Sequence, residues 1–263
     1  MRYFAIAVLM ACAAVAQAET NVDIVFLGEV HDNAGHHARQ AKRVQELQPA
    51  AIVWEMLSVD DAKRVTPALV ADQDALQATL DWSGSGWPDF SMYYPIFAAA
   101  PSAQHYGAEV SRDQAFGAMQ AGLAATFGPD AAEFGLTASL GDEQQRQREA
   151  LQLAAHCDAM PAEMLPVMVS IQRLRDAQLA RAALRAYRDT GGPVAVITGN
   201  GHARRDWGAP ALLHLAAPEL GLHSLGQGEL GAGAPEGGFD EIGWSDPAAR
   251  PDPCEAFLKS RNN

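Results

Sequence analysis

The sequence lacks an excess of positive charge and lacks long apolar runs beyond its N-terminal segment. Its 19 Lys and Arg residues are outnumbered by 32 Asp and Glu residues, which gives a formal net charge of −13. Because nucleic acid and anionic lipid surfaces both attract a basic face, we expect neither as a main partner. No apolar run of about 20 residues follows the N-terminal segment, so no transmembrane helix is expected in the mature chain.

Common hydrolase signatures and plentiful cysteine are also missing. The chain has no GxSxG nucleophile elbow, no HExxH zinc motif and no CxxC pair, so neither an activated serine nor a zincin-type site is indicated. Of its three cysteines, Cys12 lies in the N-terminal segment, which leaves Cys157 and Cys254. An even pair in an exported protein indicates a disulfide, and the alternative is two unpaired thiols.

Residues 1–18 have the pattern of a secretory signal peptide. One positive residue precedes an apolar stretch that ends in a small-x-small sequence, which predicts cleavage after Ala18 and export to the periplasm. A second cut stays open, because Leu9–Cys12 resembles a lipobox. Cleavage there would leave a lipidated Cys12 and an outer-membrane lipoprotein. We therefore expect contact with a membrane only through such an anchor.

Three short apolar runs rich in β-branched residues predict strands that are buried on both faces. They are Asp23–Leu27, Ala50–Trp54 and Pro193–Thr198. The stretch Ala34–Gln48 between the first two is typical of a helix, and strand, helix and strand with short joins predict a parallel sheet. We expect one α/β domain over residues 19–263, with a central, mostly parallel sheet, flanking helices and a helical insert.

Two regions carry signals of irregular structure. Trp82–Pro95 is punctuated by Gly and Pro and rich in aromatic residues, which predicts a loop. After about Gly226 the chain is again rich in Gly and Pro, and we expect an irregular C-terminal tail. Tyr106–Val110 is a weaker candidate for a further strand.

Acidic and imidazole side chains follow all three predicted strands. Glu29 and His31 follow the first strand, Glu55 follows the second and His202 follows the third. Since ligands bind at the carboxyl ends of parallel strands, we expect these four side chains to converge at one edge of the sheet. A glycine precedes each histidine by three residues, which permits tight turns and close backbone approach.

The converging set allows more than one chemistry. His31, Glu55 and His202 are the two-histidine, one-carboxylate combination that suits zinc or another divalent metal. Without a metal, the carboxylates or His31 could act as general acids or bases of a hydrolase. The alternative interpretation is a group of capping and solvated loop residues without chemistry.

A second polar element lies within Val169–Ala180. Gln172, Arg175 and Asp176 are spaced to share one helical face. We predict that this face covers the sheet edge, where it lends Arg175 to an anionic ligand or orients a histidine, and we count Arg175 and Asp176 among the candidate catalytic residues. The alternative is a solvated helix face.

Several of these segments, in this order, resemble the ChaN family of bacterial haem-binding proteins. They are LGEVHDNAGHHARQ, IVWEM, LDWSGSGWPDFSMYYPIF, AAHCDAMP, QRLRDAQLA and ITGNGHARRDWGAP, with DPCEAF as an echo near the end. The wider group includes TIKI/TraB-type proteins, which are similar in having two GxxH motifs and include metal-dependent peptidases. It also includes erythromycin esterases, whose histidine and glutamate resemble His31 and Glu55 in position.

The resemblance implies an α/β fold and an exported protein of haem or iron uptake. It also implies that haem is held at a homodimer interface through tyrosine. Tyr93 and Tyr94 in the aromatic segment are the candidate ligands, because tyrosinate suits ferric haem. A haem protein does not need the polar cluster at the strand ends, so a metal-dependent or acid–base hydrolase stays the alternative function.

Overall fold

The computed structural model describes residues 22–252 and 254–255. The predicted signal peptide, its cleavage point after Ala18 and the lipobox residue Cys12 lie outside the described residues. Within the described part of the chain, no helix is long and apolar enough to cross a bilayer.

A six-stranded sheet forms the centre of the protein, and all its strands run parallel. The strand order is β3-β2-β4-β1-β5-β6. The strands are β1 (Ile24–Leu27), β2 (Ala51–Trp54), β3 (Gln104–Gly107), β4 (Val194–Ile197), β5 (Leu222–Glu229) and β6 (Glu241–Ser245). The predicted α/β fold with a parallel sheet is therefore confirmed.

Helices cover both faces of this sheet, and a group of them forms an insert between β2 and β3. The α-helices are α1 (Ala34–Leu47), α2 (Val59–Arg64), α3 (Pro67–Val70), α4 (Gln73–Thr79), α5 (Trp82–Ser85), α6 (Phe90–Ala99), α7 (Arg112–Ala121), α8 (Leu123–Phe127), α9 (Asp142–Ala155), α10 (Leu165–Thr190), α11 (Asn200–Ala203) and α12 (Ala209–Ala216). Short 3₁₀ turns lie at Pro129–Ala132 and Ala162–Met164.

The alternation of side chains along the central strands divides the core into two parts. Every residue of β1, β2 and β4 is buried, as their continuous apolar sequences predict. Phe26 and its neighbours on one face pack with α10 and α12. Leu27 and its neighbours on the other face pack with α6 and Val44 of α1. The central strands are thus covered by apolar packing on both faces.

The prediction of a loop over Trp82–Pro95 is wrong, because most of this segment is helical. It contains α5 and the first part of α6, whose N-terminus is capped by the Asp89 side chain. Phe90 and Tyr93 are buried against the sheet, so burial of aromatic rings stabilises a helix that contains Pro95.

The prediction of an irregular tail after Gly226 is wrong in part, because two strands lie in this region, whereas residues 230–240 and 246–252 form no helix or strand. Residues 222–229 form β5, and β6 pairs with it in parallel. A Cβ atom at Gly226 would lie 2.7 Å from the ring of Phe239, and one at Gly228 would lie 2.7 Å from the ring of Trp244. These glycines therefore make room for aromatic rings from the next segment, although glycine is usually a sign of irregular structure.

The predicted disulfide joins Cys157, just beyond α9, to Cys254 near the C-terminus. Arg250 pairs with Asp32 and Glu229 and fixes the same terminal segment to the carboxyl end of the sheet. Arg250 is thus attached to the sheet and Cys254 to the end of α9.

Candidate functional site

The four side chains predicted to converge do line one cleft at the carboxyl ends of the strands. Glu29, His31, Glu55 and His202 all border this cleft, which has a volume of about 910 Å³. They meet because β4 lies between β1 and β2 in the sheet. The segments that follow the three strands are therefore neighbours, although they are distant in sequence.

The two glycine–histidine segments pack against each other. A Cβ atom at Gly199 would lie 3.0 Å from His31 Nε2, and one at Gly28 would lie 2.6 Å from Asn200 Oδ1. The backbone N–H of Asn200 donates to the Glu29 carbonyl at 2.9 Å. Each glycine thus leaves space for a side chain of the other segment, which gives both GxxH spacings a structural reason.

Glu29 is the centre of the first polar group. It is 2% exposed, and its Oε1 accepts hydrogen bonds from His31 Nδ1 at 2.8 Å and from the Tyr93 hydroxyl at 3.0 Å. His37 Nδ1 lies 3.2 Å from Glu29 Oε2, at ion-pair distance without hydrogen-bond geometry. Burial alone would raise the pKa of Glu29, but its contacts with the two histidines lower it.

His31 is the cationic partner of Glu29 at the edge of the cleft. Burial opposes its charge, but the hydrogen bond with Glu29 and the charge of Glu55 raise the pKa of His31 to about 9. The ring lies edge-on to Trp87, with 4.9 Å between the ring centroids. An imidazolium therefore faces the cleft at neutral pH.

The second polar group is built around His202. Its Nδ1 lies 2.6 Å from Asp176 Oδ1 and its Nε2 lies 3.5 Å from Glu55 Oε1. Glu55 also accepts from the Thr198 hydroxyl at 2.6 Å and from the Gly199 N–H at 2.8 Å. Both ring nitrogens of His202 thus face a carboxylate.

Charge pairing outweighs burial at two members of this second group. Burial alone would raise the pKa of Glu55, but His202 and His31 lower it to about 2. Burial likewise opposes a charged His202, whereas Glu55 and Asp176 raise its pKa. For Asp176 burial dominates, and its pKa is raised. The group is a coupled acid–base network at the bottom of the cleft.

The predicted polar face of α10 lies over the sheet edge. Asp176 contacts His202, and the Gln172 amide nitrogen lies 3.2 and 3.3 Å from its two ring nitrogens. Arg175 borders the cleft. The helix therefore orients a histidine and also presents an arginine, the two roles that the sequence left as alternatives.

The predicted metal ligands do not form a ligand set. In the described ranges, no three His, Cys, Asp or Glu side chains are grouped so that they could hold a metal ion. His202 and Glu55 are engaged with Asp176, Thr198 and each other instead. The structure therefore gives no support to a divalent metal at His31, Glu55 and His202.

The walls of the cleft combine apolar and cationic side chains. Residues of α9 and α10 contribute much of the surface, and the apolar members include Trp87, Leu151, Met168 and Val169. The arginines at the cleft are Arg112, Arg148, Arg175 and Arg204. Of these arginines the sequence pattern indicated only Arg175. Arg112 and Arg148 lie far from the segments that follow the central strands, and Arg204 follows His202 by two residues without a pattern that marks it as a cleft residue.

Neither predicted tyrosine ligand borders the cleft. The Tyr93 hydroxyl is buried and donates to Glu29, and burial together with the Glu29 charge raises the pKa of Tyr93 far above its usual range. The Tyr94 hydroxyl donates to the Val70 carbonyl at 3.0 Å. A neutral Tyr93 that supports a carboxylate differs from the tyrosinate ligand that the resemblance implies.

Comparison with known proteins gives one family match and several structural relatives. A family model described as haem-binding uptake, Tiki superfamily, ChaN matches residues 15–213. No curated protein matches the chain.

Among solved structures, ChaN of Campylobacter jejuni, described with cofacial haem binding, is similar. It has a TM-score of 0.60 and 16% identity over 84% of this chain and 87% of that chain. The type III effector HopBA1 has a TM-score of 0.46 and 13% identity over 86% and 88% of the two chains. At 16% identity the likeness to ChaN of Campylobacter jejuni establishes the fold alone.

Proposed function

This chain belongs to the ChaN family of the Tiki superfamily, and from that membership we propose that it binds haem in the cleft at the carboxyl ends of its parallel strands. The observation that carries this location is the composition of the cleft. The cleft combines apolar surface on α9 and α10 with arginines and the His31 imidazolium. These features complement a porphyrin, which combines an apolar ring with two carboxylates.

The side chains that line the cleft suit the porphyrin ring and the propionates of haem. Trp87, Leu151 and Met168 offer apolar contact to the porphyrin faces, and the arginines offer charge to the propionates. No tyrosine of the described residues borders the cleft. When bound, haem would supply the redox and spectroscopic properties of its iron, while this chain's residues hold and orient the ring.

A substitution that fills the cleft tests the location. Ala154 and Ala155 at the end of α9 are both exposed, but only Ala155 borders the cleft. Titration of ferric haem followed by the Soret band should give saturable binding to the wild type. Ala155→Trp should weaken it at least tenfold and Ala154→Trp should not. Absence of saturable haem binding to the wild type would contradict the proposed function. Equal haem binding by the wild type and both variants would contradict the cleft as the binding site.

We also propose that the protein is exported and acts in haem or iron uptake. The Cys157–Cys254 disulfide supports this, because disulfides persist in oxidising compartments such as the periplasm. Mass spectrometry of the protein recovered from its own host should show an N-terminus after Ala18, or a lipidated Cys12. An intact residue 1 on cytoplasmic protein would contradict export.

A homodimer is part of the same proposal. The helix α7 begins at Arg112 on the cleft wall and exposes Phe116 and Met119, which are 59% and 47% exposed. Apolar side chains beside an open cleft would suit a second copy that covers it. Light scattering should show a dimer when haem is present, and Phe116→Glu should prevent it. A monomer at saturating haem would contradict the proposal.

The hydrolase alternative is favoured by one specific observation, which is His202 between two carboxylates. Asp176 at 2.6 Å would hold the imidazole while Glu55 faces its other nitrogen, an arrangement able to move a proton. Screening ester and peptide libraries should then reveal turnover that His202→Ala abolishes. The exposed His214, changed to Ala, is the control. Absence of turnover would leave haem binding as the function.

A further inference from the structure

One cation of the cleft takes no part in the polar networks described above. Arg148 on α9 is 9% exposed and borders the cleft. Its Nε has no hydrogen-bond partner within the described part of the chain. Arginine is almost never fully buried unless it is paired, because taking its charge out of water is unfavourable. Arg148 is thus a buried cationic donor whose Nε pairs with no described group of the protein.

The two carboxylates that act on Arg148 form no ion pair or hydrogen bond with its guanidinium within the described part of the chain. Asp176 and Asp206 both act on its charge. Asp176 Oδ1 contacts His202, while its Oδ2 is buried without a hydrogen-bond partner among the described residues. Asp206 accepts two hydrogen bonds from Arg204, at 2.7 and 2.6 Å. Burial lowers the pKa of Arg148 to about 10, so its guanidinium is still charged at neutral pH. The two aspartates therefore offset part of this charge from a distance, but neither of them pairs with the guanidinium Nε.

A tryptophan fixes the position of the guanidinium. Arg148 Cζ lies 5.1 Å from the centroid of the Trp207 ring, and Arg204 Cζ lies 3.7 Å from it. Arg175 borders the same cleft. We name Arg148, Arg175, Arg204 and Trp207 the arginine corner. Because Arg204 is satisfied by Asp206, Arg148 and Arg175 are the members that remain for a ligand.

We propose that the arginine corner binds a carboxylate of the molecule held in the cleft, with Arg148 as the main donor. A guanidinium matches a carboxylate with two parallel hydrogen bonds, and its pairing would satisfy the buried Nε. Two sources share this chemistry. One is a haem propionate, which rests on the proposed function, and the other is the carboxylate of a different apolar acid.

The first arm of the test compares ferric haem with its dimethyl ester, in which both propionates are blocked. The wild type should bind the free acid at least tenfold more tightly than the ester. Arg148→Gln should remove that preference while binding of the ester stays unchanged. Arg146→Gln is the matched control, because Arg146 lies on the same helix, is exposed and pairs with Glu143. A preference retained in Arg148→Gln would overturn the proposal.

The second arm does not depend on haem. Calorimetry with 2-naphthoate and with neutral 2-naphthalenemethanol should show a preference for the acid that Arg148→Gln abolishes. If haem does not bind to the wild type, only the proposed haem-binding function is contradicted. The naphthoate measurement then tests by itself whether the arginine corner binds a carboxylate. If the wild type prefers neither acid over its neutral analogue, the corner is not a carboxylate site.

Stability separates this role from a structural one. If Arg148 serves a ligand, removing its unpaired buried charge should leave Arg148→Gln at least as resistant to urea as the wild type. If Arg148 instead stabilises the fold, Arg148→Gln should unfold at a lower urea concentration. If Arg148→Gln does not fold, Arg148→Lys keeps the charge but not the paired geometry, and it should lower the preference for the acid at least threefold. An unchanged preference in Arg148→Lys would then count against the proposal.

Discussion

At the scale of single residues, some candidate functional residues could be predicted because they follow a strand. Others depend on tertiary packing and could not be predicted from the sequence. Glu29, Glu55 and His202 could be predicted because each follows a buried strand. Arg148 could not, because its helix sequence DEQQRQREA gives no sign that it is buried while Arg146 is exposed.

The protonation of His31 gives a prediction for pH. The pKa of His31 is raised from 6.5 to about 9, so its contribution to stability is complete below pH 6.5 and disappears as the pH rises through 9. Its side chain is 37% exposed, so solvent screening reduces the effect to roughly 1 kcal/mol. Urea unfolding at pH 6 and pH 10 should show His31→Gln losing less stability than the wild type. Equal losses would contradict the assignment.

The buried hydroxyl of Tyr93 gives a second prediction. Tyr93→Phe removes a donor from the buried Glu29 carboxylate, and the free energy of unfolding should fall by about 1–2 kcal/mol. The spectrum of bound ferric haem should not change, because this phenol does not border the cleft. If a stable Tyr93→Phe protein lost a tyrosinate charge-transfer band, Tyr93 would be the ligand after all.

At the scale of elements, the glycine–histidine segments behave as one interlocked unit. Gly28→Ala would place a Cβ atom 2.8 Å from the Leu225 carbonyl oxygen, a backbone atom that cannot move aside. We expect a loss of about 1–3 kcal/mol in stability together with weaker haem binding. Gly117→Ala, in the interior of α7 with its nearest neighbour at 3.5 Å, should be neutral or stabilising. Thermal unfolding of both variants measures the difference, and similar effects would contradict the interlocking.

The errors at this scale have physical causes. Gly and Pro predicted a loop over Trp82–Pro95 and an irregular tail after Gly226, because both residues usually interrupt regular structure. In the structure, buried aromatic rings stabilise α6, and the glycines of β5 lie beneath Phe239 and Trp244. Long-range packing, which a local pattern does not contain, decided both cases.

At the scale of the whole molecule, the disulfide connects the cleft wall to the chain end. Cys157 and Cys254 are separated by 97 residues, and closing such a loop is worth on the order of 4 kcal/mol in the chain-entropy model. Reduction should therefore lower the urea midpoint of the wild type. The double variant with Cys157→Ser and Cys254→Ser should start from the lower value and should not respond to a reductant. A wild type insensitive to complete reduction would contradict this role.

The position of haem is the central claim, and histidine ring NMR signals test it most directly. Ferric haem broadens nearby resonances, and gallium protoporphyrin is the diamagnetic control. His31, His156 and His202 border the cleft, whereas His214 and His223 do not. The account predicts that the signals of the first three broaden while those of His214 and His223 remain sharp. Broadening of His214 or His223 with sharp His31 and His202 signals would place haem elsewhere and contradict the account.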